Sequence, residues 1–125
     1  MKQKIHVLVC DQDAQSRDFI LELLTAAGYV VHVFEGTESL DAMARHPVEL
    51  AIIDVVDPDS DGFYVVDGLR LGGMRGPIVF MSETITANLK TEMSNFSNIR
   101  GILQKPVVPR EILQKVGSIL ELQEV

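Results

Sequence analysis

Five short apolar runs alternate with five segments of helical spacing along this chain, and nothing else in the sequence constrains the fold as tightly. The runs are Ile5–Cys10, Val30–Phe34, Leu50–Ile53, Ile78–Met81 and Gly101–Leu103. Each is apolar almost throughout rather than at every second position, as expected of strands covered on both faces. Between them, Ala14–Ala27 places Ile20, Leu23, Leu24 and Ala27 on one helical face before Gly28 stops it. Thr37–Arg45 follows with Thr37 as a cap, then Gly62–Leu71 with Asp61 as its cap and Gly72-Gly73 as its stop. Thr84–Met93 keeps a stripe of Ile85, Leu89, Met93 and Phe96, although its threonines weaken the helix. The last helix opens at Pro109 and buries Ile112, Leu113, Val116, Ile119 and Leu120. Strict alternation predicts right-handed crossovers, and so an α/β fold with five parallel strands between helices.

At 125 residues the chain is expected to form one domain, 1–125, with a single continuous core. The basic start Met1-Lys2-Gln3-Lys4 leads into an apolar run too short for a signal peptide or a membrane span, so the expected location is cytoplasmic. Cys10 is the only cysteine, which excludes an internal disulfide and a cysteine-based zinc site and suggests a small buried hydrophobe. The net charge of −7 argues against a groove for nucleic acid, which needs clustered Lys and Arg. His6, His32 and His46 lack metal-site spacing and read as structural or solvated.

Open parallel sheets gather function outside the carboxyl ends of their strands. There the first strand delivers Asp11-Gln12-Asp13, the third Asp54, the fourth Ser82 and the fifth Lys105-Pro106. Burying acids, a hydroxyl and an ammonium together costs desolvation energy that a purely structural core would avoid. The set suits phosphoryl transfer onto a carboxylate. Asp54 is the candidate nucleophile, a hard oxygen-ligated Mg²⁺ and Lys105 offset charge, and Ser82 donates to a phosphoryl oxygen. Asp57-x-Asp59-x-Asp61-Gly62 opens like a calcium loop, but Gly68 stands where that loop needs Glu, so the acids read as loop residues and a cap. No glycine-rich phosphate loop and no nucleophile elbow is present.

In these strings the chain resembles the receiver domain of two-component response regulators over essentially its whole length. The strings are Val7–Asp13 with Arg17, Asp54–Gly62, Phe80-Met81-Ser82 and Gln104-Lys105-Pro106-Val107. The resemblance implies strand order 2-1-3-4-5, and Asp54 as the phosphoacceptor. It implies Ser82 and Lys105 as phosphoryl contacts, and Mg²⁺ held by Asp11, Gln12, Asp54 and the Val56 backbone carbonyl. It also implies a cis peptide before Pro106. A histidine kinase or phosphotransfer protein would be the donor, and the receiver would be a phosphoacceptor rather than an enzyme. A downstream protein, a fused output domain or a second copy docked through the fourth helix, fifth strand and fifth helix would read the signal. With no further domain after Val125, the expectation is a stand-alone regulator or the receiver of a longer one.

Three positions depart from the family pattern. Gln12 replaces the second acid of the pair, with Asp13 one place on, so weaker Mg²⁺ binding is expected. Glu83 follows Ser82 where a small residue is usual, and would either crowd the site or ligate the metal. Ile102 occupies the switch position usually held by an aromatic ring. These departures motivate an alternative, a phosphorylation-independent pseudo-receiver used for docking or dimerisation. A flavin-binding protein of similar strand order is the more remote reading.

Overall fold

A computed structural model describes residues 4–35, 45, 47–55 and 62–124, without the side chains of residues 62–65 and 122–124. The elements run β1 (His6–Cys10), α1 (Ala14–Ala26), β2 (Val30–Phe34), β3 (Leu50–Asp54), α2 (Gly62–Leu71), β4 (Ile78–Ser82), α3 (Ala87–Met93), β5 (Ile99–Gln104) and α4 (Pro109–Glu124). The five strands form one parallel sheet in the order β2-β1-β3-β4-β5. Four helices lie among the described residues, against five expected. Apart from Arg45, the segment read as a helix over Thr37–Arg45 lies outside them.

The apolar runs are continuous because the sheet has two covered faces. On one, Val7, Val9, Leu50, Ile52, Val79 and Met81 pack with Ile20 and Leu24 of α1 and Ile112 and Val116 of α4. On the other, Leu8, Cys10, Ala51, Ile53, Ile78 and Phe80 pack with Val66 and Leu69 of α2 and Leu89 of α3. Ile52, Ile53 and Phe80 are wholly buried, each contributing roughly 1.5–3 kcal/mol of transfer free energy. Cys10 is buried in the second cluster, as its apolar setting implied.

Several boundaries differ from the sequence reading for local reasons. β1 begins at His6 rather than Ile5, and β3 runs on to include Asp54, which pairs with Met81. β5 is longer than Gly101–Leu103, with a register shift against β4 at Ile78/Val79. α3 begins at Ala87, not Thr84, because the Thr86 side chain caps it by accepting from the Leu89 N–H at 3.0 Å. Gly28 and Gly73 close α1 and α2 with φ of 101° and 105°, a region that penalises any side chain.

His6 and His32 turn out to be partners. Their Nδ1 and Nε2 atoms lie 2.9 Å apart, with ring centroids 5.2 Å apart and planes inclined by 10°. The centroids are farther apart than the nitrogens by about one ring radius on each side. The imidazoles therefore meet edge to edge through one N–H···N bond rather than face to face.

Candidate functional site

Strand register brings the chemistry together at the carboxyl edge. Asp11 follows β1 and is fully buried. Its N–H donates to Phe34 O at 3.0 Å, its Oδ1 accepts from the Asp13 N–H at 2.9 Å, and its carbonyl accepts from Arg17 Nη1 at 2.9 Å. Asp54 ends β3, beside β4, whose last residue is Ser82. From β5, Lys105 reaches back so that Nζ lies 3.2 Å from Asp54 Oδ1 and 3.3 Å from Asp11 Oδ2. The Lys105-Pro106 peptide is cis.

Three nearly buried charges, two negative and one positive, share this space. Side-chain exposure is 0% at Asp11, 8% at Asp54 and 11% at Lys105, so water screens them little. Burial, and then the Asp11 carboxylate, push the Asp54 carboxyl up to about 6, with Lys105 offsetting only part of that rise. Burial opposes the charged form of Lys105, but Asp54 and Asp11 together outweigh it and hold its pKa above the usual lysine value. The fully ionised cluster is one positive charge short.

Ser82 is almost wholly buried, and its hydroxyl is engaged within its own loop. Oγ donates to Thr84 O at 2.8 Å and accepts from the Thr84 N–H at 3.2 Å. It therefore does not cap the following helix, a role that Thr86 takes. Gln12, Asp13 and Glu83 are exposed and line a cavity of about 390 Å³ with Asp54, Thr84 and Lys105. Asp13 also caps α1, its Oδ1 accepting from the Gln15 N–H at 3.2 Å. Arg17 has a second, loose contact 3.7 Å from Glu35, which is too exposed for that contact to count for much. Ile102 is half-buried against the second core cluster. Val56, Asp57, Asp59 and Asp61 lie outside the described residues.

The donor set fits a hard cation. Two carboxylates and an amide supply oxygen only, with one negative charge unmatched. Among the described residues no three acids, histidines or cysteines gather as metal ligands. Sequence reasoning missed Gln104, whose side chain lies against the backbone of the Ser82 loop. A lone polar residue at a strand end carries no pattern that would have marked it.

The family model of the response regulator receiver domain matches residues 7–117. The chain belongs to that family. Among curated relatives, the transcriptional regulatory protein RprY of Bacteroides fragilis is 25% identical over 126 residues, covering 96% of this chain and 51% of its own length. The sensory/regulatory protein RpfC of Xanthomonas campestris is 30% identical over 122 residues, 94% of this chain and 17% of its own. The chain thus spans about half the length, or less, of the curated relatives it matches. Among solved structures, chemotaxis protein CheY4 of Vibrio cholerae aligns with a TM-score of 0.82 at 25% identity, covering 94% of this chain and 99% of that one. A CheY-like receiver from Methanospirillum hungatei gives 0.86 at 22% identity, covering 98% of each, and supports the receiver fold alone. No described helix is long and apolar enough to cross a membrane.

Proposed function

We propose that Asp54 accepts a phosphoryl group from a phosphohistidine donor, a histidine kinase or phosphotransfer protein. The observation that carries this is Lys105 Nζ lying within 3.4 Å of carboxylate oxygens of both Asp54 and Asp11. An Asp54 carboxylate oxygen would attack phosphorus as the P–N bond to the donor imidazole breaks, leaving an acyl phosphate. An anion attacking an anionic group needs positive charge in place before the encounter. Lys105 supplies part of it. Asp11, Gln12, Asp54 and the Val56 carbonyl would hold Mg²⁺, which when bound offsets the remaining negative charge. Ser82 would leave Thr84 to donate to a phosphoryl oxygen.

The chain would act as one receiver domain over 1–125 in the cytoplasm, a phosphoacceptor whose chemistry is confined to its own aspartyl phosphate. Its signal would change affinity for a downstream protein, a fused output domain or a second copy, through α3, β5 and α4. Incubation with acetyl phosphate and Mg²⁺ is expected to add one phosphoryl mass to the wild type and none to Asp54→Asn. A wild type that stays unmodified at saturating donor would end this reading and leave phosphorylation-independent docking in its place.

A further inference from the structure

Gln104 closes β5 as the register partner of Ser82. Its Nε2 lies 2.5 Å from Glu83 O, 3.2 Å from Lys105 O and 3.4 Å from Ser82 O. All three neighbours accept hydrogen bonds, which fixes the amide with its nitrogen inward, because Oε1 there would face three oxygens. The Ser82 carbonyl already has a better donor, the Lys105 N–H at 2.9 Å. The two N–H groups of Gln104 therefore serve Glu83 and Lys105, tying the loop after β4 to the residue that reaches Asp54. A polar side chain on an exposed strand end would ordinarily turn to water, and this one reaches for backbone instead.

That tie bears on Ser82. Its hydroxyl donates to Thr84 O and accepts from the Thr84 N–H, so turning it towards Asp54 forfeits two bonds that the present backbone arrangement of residues 83–85 supplies. The Glu83 carbonyl held by Gln104 belongs to the same stretch. Resting on the phosphoacceptor reading above, we infer that Gln104 is a positioning residue. It clamps the Ser82 loop in its self-satisfied arrangement, and so sets how readily Ser82 turns towards a phosphoryl group on Asp54. Losing one neutral hydrogen bond from the resting arrangement should shift that balance about fivefold.

The test is a beryllofluoride titration with Mg²⁺ on the whole chain, followed through the backbone amides of Ser82, Glu83 and Thr84 by NMR. Gln104→Met removes the donor at similar length. Its ligand-free Thr84 resonance should lie part of the way along the line from the free to the saturated wild-type position, and its apparent dissociation constant should fall about fivefold. Gln104→Asn keeps the amide but is one methylene short, and should move the same way by less. Unchanged β1 and β3 amides would show that both variants keep the fold, and a merely structural role would not displace Thr84 along that line. A responding wild type with variants at the wild-type constant and an unmoved Thr84, or with weaker binding, overturns the clamp alone. A wild type that does not respond overturns the phosphoacceptor reading and the clamp with it.

Discussion

The two ends of the sheet solve the same problem differently. Near the amino ends, His6 and His32 bring polar rings together across β1 and β2 and share an N–H···N bond, while the His6 backbone N–H donates to Glu49 Oε2 at 2.6 Å. At the carboxyl ends, Asp11, Asp54 and Lys105 are brought together just as closely but are left a positive charge short. Balanced polar groups stiffen a fold, whereas an unbalanced buried set holds free energy that an arriving cation or phosphoryl group can release.

Removing the ammonium that both carboxylates share tests this contrast most severely. Lys105→Met should cost about 3 kcal/mol in urea denaturation at neutral pH, because two buried carboxylates lose their partner. Next comes Asp54→Asn, which should stabilise the metal-free protein. Asp54 binds its proton more tightly folded, at about 6, than unfolded, at about 3.9. Protonation therefore favours the fold. That gain is present in full below pH 4 and is lost as pH rises through 6. At pH 7 the asparagine variant should be ~2–3 kcal/mol more stable, with the difference vanishing below about pH 4. Melting curves across pH 3–8 in a chelator read this directly, and equal stability at pH 7 would contradict the charge imbalance.

A smaller effect is expected at the rim. Gln12→Asp should tighten Mg²⁺ binding about tenfold by restoring a formal charge to the donor set. Magnesium titration followed by NMR would read this, and an unchanged midpoint would remove Gln12 from the site. Smallest of all, His6→Phe should cost about 1 kcal/mol of stability. It should leave phosphodonor labelling at the wild-type rate, because the paired imidazoles sit at the far end of β1.

Parallel strands with two covered faces write themselves as unbroken apolar runs, so Leu50–Ile53 and Ile78–Met81 disclosed the sheet without coordinates. The gathering of Asp11, Asp54 and Lys105 was legible for a related reason, since topology alone sends strand ends to one edge. Contacts that depend on register were not. The His6–His32 pair exists because Leu8, not His6, stands opposite His32, which puts the two rings on a diagonal. The start of α3 was misplaced because Ser82 and Thr84 bond to each other, so that helix capping fell to Thr86. Gln104 stood in a recognised string, but its contacts were invisible because its partners are backbone carbonyls, which no side-chain pattern records.

The grip on Asp11 has a consequence for how such a pocket can be altered. Phe34, Arg17 and the Asp13 N–H hold it by bonds internal to the fold. Its neighbour Gln12 is exposed and lines the cavity. Position 12 is thus an exchangeable bit in a fixed chuck: its charge can be swapped to retune the appetite for cations while the holder stays as it is.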